Sequence, residues 1–292
     1  MAIPISYLPR VCVGSHISAK FLPSRVRPLA AHVKLTENCQ AKCISCDYWK
    51  TRWKDGIDTD RAVTLINEIR ECGIRTLRFT GGEPLLRKDF FTVIQRSDTA
   101  GFKRIIVQTN GLLLKRFIQE INSSPITNIN VSIDGLRETN DRIRGIKGYF
   151  DLALEGVRAL RDKHVTFSVT LNGNSAKELK ELARVARNLG ASLEFNILSR
   201  SLPFLQNGEI SSMWPDHGDL NSIENFLRDI GRPSYEIQYV REYYERDNVE
   251  EPPCAGLPPG IRGFERRCLD RMLSVTARRQ HFKEQPSGSL RV

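Results

Sequence analysis

Residues 31–49 read AHVKLTENCQAKCISCDYW and hold three cysteines, Cys39, Cys43 and Cys46, at the spacing C-x-x-x-C-x-x-C. The first six of these residues read as a short strand, so the cysteines are expected on the loop that follows it. Thiolates are soft ligands that select iron–sulfur clusters, zinc or Cu(I) over hard cations. Three thiolates on one loop can hold three corners of a cubane cluster and leave the fourth iron open, and an open metal position is where chemistry occurs.

Two other interpretations of the cysteines stay open from the spacing alone. A zinc site would need a fourth ligand, and the next cysteine or histidine after Cys46 is the distant Cys72. Unliganded thiols are the other alternative. A disulfide framework is disfavoured, because seven cysteines is an odd number and no secretory segment precedes them.

The composition is that of an ordinary globular protein, with 40% hydrophobic and 27% charged residues among 292. The formal net charge is +10, but the basic excess lies near the two ends, and no basic groove interleaved with aromatic residues is visible. We therefore expect a small-molecule partner and no nucleic acid. No run approaches the roughly 18 apolar residues that span a bilayer. We expect no membrane partner and a cytoplasmic location, which also suits closely spaced thiols.

Strand and helix patterns alternate six times along the sequence. Apolar and β-branched runs predict strands at 31–36, 76–80, 104–108, 127–133, 165–171 and 192–198. Apolar residues at helical spacing predict helices at 59–72, 90–100, 113–122, 150–163 and 175–189, and two more at 222–230 and 235–246. The alternation predicts an α/β fold with a parallel sheet, and six units are too few to close an eightfold barrel.

The expected architecture is a partial (β/α)6 TIM-like barrel with a small irregular and helical C-terminal appendage. It divides the chain into an N-terminal extension at 1–29, the barrel at 30–200 and the appendage at 201–292, whose last residues we expect to be disordered. In such barrels the ligand lies at the carboxyl ends of the strands.

Polar turns follow three of the predicted strands at that edge, and they contain Gly81, Gly82, Glu83 and Pro84 (GGEP), Asn110 (TNG), and Ser132 and Asp134 (SIDG). Two glycines let the backbone approach a ligand closely. Carbonyl groups beside a carboxylate suit an ammonium group, and a hydroxyl beside a carboxylate suits ribose. Arg144 either clamps a carboxylate in bidentate fashion or is a solvated helix charge. Ile197, near the end of the sixth strand, is expected to form an apolar wall.

With these motifs in this order, the chain resembles the radical S-adenosylmethionine (SAM) superfamily over about residues 30–200. The resemblance implies a [4Fe–4S] cluster on Cys39, Cys43 and Cys46, with SAM bound at the open iron. It also implies that the SAM amino group lies at Gly81, Gly82 and Glu83, the ribose at Ser132 and the carboxylate at Arg144. Pro84, Asn110, Asp134 and Ile197 complete the predicted cofactor-binding set.

The resemblance further implies the chemistry. One-electron reduction cleaves SAM to methionine and a 5′-deoxyadenosyl radical, which abstracts a substrate hydrogen. The electron would come from an external donor such as flavodoxin or ferredoxin. Ser45 departs from the family's pattern, which usually has an aromatic or bulky residue before the third cysteine, and we assign adenine packing instead to Tyr48 or Trp49.

The C-terminal part resembles a truncated auxiliary-cluster (SPASM/twitch-like) extension. It holds only Cys254 and Cys268, where a full extension needs seven or so cysteines, so we expect no auxiliary cluster. We therefore predict a polar small-molecule substrate of the sugar or nucleoside type, and a decarboxylation or dehydrogenation by a lyase or oxidoreductase. A maturase of a ribosomally made peptide is the alternative within this class. A zinc- or cluster-binding regulator without catalysis is the alternative from another class, and the sequence has no helix-turn-helix to support it.

Overall fold

A six-stranded parallel sheet organises the part of the protein that the structure describes. This structure is a computed structural model, and the described residues are 30–50, 57–198 and 208–245. The strands lie in chain order and are β1 (Ala31–Thr36), β2 (Thr76–Gly81), β3 (Arg104–Thr109), β4 (Asn128–Ser132), β5 (His164–Leu171) and β6 (Ser192–Ile197). Each strand pairs in parallel with the next. The predicted α/β class is therefore confirmed.

Helices occupy most of the connections between these strands. The α-helices of the described residues are α1 (Thr59–Glu71), α2 (Phe90–Thr99), α3 (Ile118–Ser123), α4 (Arg137–Arg144), α5 (Tyr149–Ala159), α6 (Leu179–Asn188), α7 (His217–Asp229) and α8 (Ser234–Glu245). Short 3-10 turns lie at Tyr48–Lys50, Pro84–Leu86, Gly173–Glu178 and Gly208–Met213. None of the helices in these residues is long and apolar enough to cross a membrane.

Successive residues of the strands point alternately to an apolar face and to a polar face of the sheet. On the apolar face, Val107 lies in register with Ile129, and both side chains are buried in the core. The next register pair, Gln108 and Asn130, lies on the opposite face, because successive residues of a strand point to opposite sides. We call this second side the concave face; its polar residues include Arg78, Gln108, Asn130, Ser132, Ser168, Glu194 and Asn196.

An ion pair across the concave face shows that the sheet curls. Both guanidinium NH groups of Arg78 on β2 donate to the Glu194 carboxylate on β6, at 2.9 and 3.1 Å. The Asn130 amide on β4 donates to the same carboxylate at 2.6 Å. Three strands separate β2 from β6, so a flat sheet could not bring these groups together. The curl is that of the predicted partial barrel.

Helices α7 and α8 pack onto the barrel and share its core. Phe226 of α7 is buried against Phe195 of β6, with the rings 5.6 Å apart. The Tyr244 hydroxyl of α8 donates to the Leu171 carbonyl and accepts from the Leu198 amide at the ends of β5 and β6. The predicted domain boundaries stay predictions, and residues 1–29, 199–207 and 246–292, with Cys254 and Cys268, lie outside the described residues.

The structure differs from the predictions in several places. Helix α4 was not predicted, because RETNDRIR contains one large apolar residue, Ile143, and shows no apolar stripe. The helix predicted at 113–122 begins only at Ile118. Cys72, at the C-terminal cap of α1, is disulfide-bonded, which the sequence did not lead us to expect.

Candidate active site

The cysteine loop follows β1 at the carboxyl edge of the sheet, as predicted. Cys39, Cys43 and Cys46 are all free thiols. Cys43 is buried, while Cys39 and Cys46 are half-buried and pack beside the core. The three sulfur atoms therefore belong to one short loop that is partly shielded from solvent.

The turn after β2 holds one side of this loop. The Gly82 amide donates to the Thr36 carbonyl and the Glu83 amide donates to the Asn38 carbonyl, both at 2.7 Å. A Cβ atom at Gly82 would stand 2.2 Å from the Asn38 carbonyl oxygen, and one at Gly81 would stand 2.1 Å from that of Thr36. The two glycines therefore permit close contact between two stretches of backbone. Their predicted approach to a ligand stays a prediction.

The C-terminal end of α4 holds the other side of the loop. The Lys42 amide donates to the Arg144 carbonyl at 3.1 Å, and the Ile44 amide donates to the Ile143 carbonyl at 2.9 Å. Gly145 ends the helix in the left-handed region, at φ +68°, and a Cβ there would stand 2.4 Å from the Lys42 carbonyl oxygen. These backbone bonds fix the loop between β2 and α4.

Glu83 links the ends of β2 and β3 through buried hydrogen bonds. Its carboxylate is fully buried and accepts hydrogen bonds from the Thr109 hydroxyl and from the amides of Asn110 and Leu85. Burial raises the pKa of this carboxyl to about 7, although the three donors oppose the shift. The sequence led us to expect that Glu83 receives the SAM amino group. In the structure the carboxylate is enclosed by protein donors, and Pro84 is buried beside it in the 3-10 turn.

Asn110 connects the hydrogen bonds of Glu83 to the cysteine loop. Its side-chain Nδ2 lies 3.8 Å from the Cys39 sulfur, and its Oδ1 accepts from the Leu112 amide at 3.0 Å. An N–H group beside a thiolate stabilises the negative charge on sulfur. Asn110, predicted as a cofactor contact, is thus placed against one of the predicted metal ligands.

Arg144 and Asp134 form a buried ion pair on the other side of the loop. Arg144 NH2 lies 2.6 Å from Asp134 Oδ2, and Arg144 NH1 lies 3.8 Å from the Cys43 sulfur. Asp134 Oδ1 also accepts from the Thr170 amide at 2.8 Å. Its predicted contact with ribose is therefore in competition with two protein donors. Ser132, at the end of β4, is half-buried and its hydroxyl accepts from Gln108 Nε2 at 3.1 Å.

The predicted aromatic partners of adenine lie in the turn after Cys46. The indole N–H of Trp49 donates to the Cys43 carbonyl at 3.4 Å, and the ring is partly exposed. The Tyr48 ring lies 5.3 Å from the Lys34 ammonium group. Both residues adjoin the cysteine loop, and their contact with adenine stays a prediction.

Ile197 lies on the face opposite to the polar residues of β6. It pairs in register with Leu171 and packs against the apolar core. This placement does not favour its predicted contact with a cofactor. The neighbouring Asn196 is on the concave face, where its amide donates to the Ser168 hydroxyl at 2.9 Å.

The polar concave face was not predicted from the sequence as a feature of the site. Its signal was present in the alternation of NINVS in β4 and SLEFNI in β6, where polar residues recur at every second position. We expected instead an apolar wall at the end of β6.

The donor set of the loop fits an iron–sulfur cluster. Burial raises the pKa of Cys39 to about 12 and also raises that of Cys46, so both are thiols near neutral pH and would release their protons on binding a metal. N–H groups of Asn110 and Arg144 face two of the sulfur atoms. Within the described ranges, no three His, Cys, Asp or Glu side chains converge to hold a single metal ion. A cubane cluster takes one thiolate at each iron, so three cysteines would supply ligands for three of its four irons.

Comparison with known proteins identifies the class. The family model described as "Radical SAM superfamily" matches residues 33–186, which is more than half of the chain. The chain therefore belongs to the radical SAM superfamily. Proteins of this family use a [4Fe–4S] cluster and SAM.

Curated relatives cover part of the chain. An AdoMet-dependent heme synthase of Methanosarcina barkeri is 32% identical over 164 residues, which are 54% of this chain and 47% of the relative. An Fe-coproporphyrin III synthase of the same organism is 29% identical and covers 55% of this chain and 43% of its own length. A probable GTP 3′,8-cyclase of Saccharolobus islandicus is 27% identical over 210 residues, 70% of this chain and 66% of the relative. The chain thus spans about half the length of the two Methanosarcina relatives.

A solved structure has a similar fold. The SAM-bound form of SuiB from Streptococcus suis superposes with a TM-score of 0.57 at 16% identity, over 79% of this chain and 52% of SuiB. At this identity the likeness concerns the fold.

Proposed function

We propose that this protein is a radical SAM enzyme that abstracts a hydrogen atom from a polar small molecule of the sugar or nucleoside type. The observation that carries the proposal is the loop of three free thiols, held by backbone bonds at the carboxyl edge of a partial barrel whose concave face is polar. A decarboxylation or a dehydrogenation is the reaction we expect after hydrogen abstraction.

The predicted site residues take defined parts in this proposal. Cys39, Cys43 and Cys46 would hold the cluster. When bound, the cluster and SAM together supply a carbon-centred radical that can remove a substrate hydrogen. Carbonyl groups of the Gly81–Gly82 turn would accept from the SAM amino group.

Two further contacts with SAM follow from the positions of polar atoms. The half-buried Ser132 hydroxyl lies at the end of β4 and would meet the ribose. Arg144 keeps one buried N–H, at Nε, that no atom of the described residues accepts. The predicted contact with the SAM carboxylate would be made through that atom, because NH1 and NH2 already face Cys43 and Asp134.

The polarity of the concave face supports a polar substrate. Gln108, Ser132, Ser168 and Asn196 present neutral amide and hydroxyl groups on the same face as the Arg78–Glu194 ion pair. These side chains keep further N–H groups and lone pairs beyond the bonds that they make with one another, and an apolar ligand seated there would cut those groups off from water, at about 1–3 kcal/mol for each group left unpaired. The relative named as a probable GTP cyclase acts, by its name, on a nucleotide, which agrees with this substrate class. The fold likeness to SuiB gives no specific support to peptide maturation.

The first experiment is anaerobic reconstitution with iron and sulfide, followed by dithionite and SAM, with 5′-deoxyadenosine as the product. We expect four irons per chain and deoxyadenosine in the wild type, and loss of both in Cys43→Ala. Ser45→Ala, a change two residues away on the same loop, is the matched control and should retain both. Zinc in the purified protein, with no deoxyadenosine, would instead support a structural metal site.

A second experiment tests the substrate class. Nucleotides, nucleoside sugars, coproporphyrin and a peptide are added one at a time to the reconstituted enzyme, and deoxyadenosine formation is measured. We expect stimulation by a nucleotide or nucleoside sugar, and weakening of that stimulation in Gln108→Leu. Stimulation by coproporphyrin or by the peptide would contradict the proposal for the substrate while leaving the radical chemistry in place.

A further inference from the structure

We propose that the buried Arg144–Asp134 pair sets the reduction potential of the cluster, with Arg144 raising it and Asp134 lowering it. This inference rests on the proposed function, because it needs a cluster on Cys39, Cys43 and Cys46. It assigns both residues a positioning and electrostatic role that is separate from any contact with SAM.

The geometry places the two charges in a definite order from the sulfur outward. Arg144 NH1 lies 3.8 Å from the Cys43 sulfur, and Arg144 NH2 lies 2.6 Å from Asp134 Oδ2. The guanidinium therefore stands between Cys43 and the Asp134 carboxylate. On its other side the guanidinium carbon lies 6.0 Å from the centre of the Tyr149 ring, which is fully buried.

Both charges are shielded from water. The side chain of Asp134 is 2% exposed and that of Arg144 is 14% exposed. Solvent therefore screens their fields weakly, and a charge next to a cluster ligand acts strongly on the cluster. The Arg144 Nε atom is buried without an acceptor among the described residues.

The sign of the effect follows from the order of the charges. Reduction transfers one electron from the external donor to the oxidised cluster; no bond breaks, and the cluster gains one negative charge. The nearer Arg144 cation stabilises that added charge, so it makes reduction easier. The Asp134 anion lies behind the cation and opposes it. Hydrogen bonds to sulfur and net charge near the cluster are established determinants of such potentials.

The backbone of the same residue contributes to the position of the cluster. The Arg144 carbonyl accepts from the Lys42 amide, so one residue both anchors the cysteine loop and presents a cation to Cys43. Substituting the Arg144 side chain leaves this backbone bond available. The electrostatic effect can therefore be changed without removing the anchor.

The test is an EPR-monitored titration with dithionite of the reconstituted protein in the absence of SAM. We expect Arg144→Gln to make reduction about tenfold less favourable, a shift of about 59 mV to lower potential for a one-electron couple. Asp134→Asn should shift the potential in the opposite direction. The double variant, which removes both charges and leaves neither one buried alone, should lie between the two. Arg142→Gln, at an exposed position on the same helix, is the control and should titrate like the wild type.

The possible outcomes of the titration either support or contradict the inference. Opposite shifts in the two single variants support it, because a loss of structure alone would not move the potential in both directions. An unchanged potential in Asp134→Asn would overturn it, even if Arg144→Gln failed to fold. Failure of the wild type to assemble a four-iron cluster would instead contradict the proposed function on which the inference rests.

Discussion

Replacement of Gly82 by alanine tests the contact between the β2 turn and the cysteine loop. The added Cβ would stand 2.2 Å from the Asn38 carbonyl oxygen and 2.7 Å from that of Glu37, and both are backbone atoms that cannot rotate away. The turn and the loop must therefore separate. That separation weakens two hydrogen bonds, Gly82 N–H to the Thr36 carbonyl and Glu83 N–H to the Asn38 carbonyl.

The magnitude follows from these contacts. Each of the two hydrogen bonds contributes about 0.5–1.5 kcal/mol net, and overpacking against rigid atoms costs about 1–3 kcal/mol. From these contributions together we expect the free energy of unfolding to fall by about 3 kcal/mol. At about 2–4 °C for each kcal/mol, the melting temperature of Gly82→Ala falls by about 6–12 °C.

The assay is thermal unfolding of the reconstituted protein, with iron content measured on the same samples. We expect Gly82→Ala to melt lower and to retain less iron, because the loop that carries the cysteines is displaced. Gly218→Ala is the control: it lies in the first turn of α7, and its Cβ would meet only the Asp216 carboxylate at 3.3 Å. A Gly82→Ala protein that melts within about 2 °C of the wild type, with full iron content, would refute the reasoning.

Three further predictions concern buried polar groups. The pKa of Glu83 is raised to about 7 in the folded protein from 4.5. Its stabilising contribution is therefore full below about pH 4.5 and is lost as the pH rises to about 7, a change of about 3 kcal/mol in the free energy of unfolding. Chemical denaturation at a series of pH values should show this fall in unfolding free energy in the wild type and not in Glu83→Gln. An equal dependence on pH in the two proteins would contradict the prediction. Glu194→Gln leaves the half-buried Arg78 without its charged partner, so we expect a loss of about 1.5–3 kcal/mol in unfolding free energy. An unfolding free energy from urea denaturation within about 1 kcal/mol of the wild type would argue against the ion pair. Tyr244→Phe removes the hydroxyl that joins α8 to the ends of β5 and β6 and should cost about 1–3 kcal/mol, whereas the exposed Tyr235→Phe should be neutral; equal stability of the two variants would contradict this role.

Much of the fold could be predicted because each strand carries its own signal. The runs AHVKLT and RIIVQT are short, apolar and β-branched, and the strands β1 and β3 were predicted to within one residue at each end. Helix α4 was missed because its residues bury little apolar surface, and its importance lies in backbone bonds to the cysteine loop. Such bonds leave no periodic pattern in a sequence.

The candidate site was predictable in part for the same reason. The cysteines lie within one loop, so their proximity follows from their spacing. Glu83 and Asp134 were assigned to ligands because a carboxylate beside a turn suits a polar ligand. The structure instead surrounds Glu83 with Thr109 and Asn110, and pairs Asp134 with Arg144. Contacts between groups so far apart in the chain depend on the curl of the sheet.

The sequence by itself determined the class of this protein and the thiols of its loop, because strand–helix alternation and the C-x-x-x-C-x-x-C spacing are local properties. Only the tertiary structure decided which polar groups bind to other groups of the protein and which face the interior of the barrel. The Arg78–Glu194 pair joins β2 to β6, and Arg144 reaches Cys43 from a helix about one hundred residues later in the chain. These contacts form because right-handed crossovers and sheet curvature bring the strand ends to one edge, and no short stretch of sequence encodes that geometry.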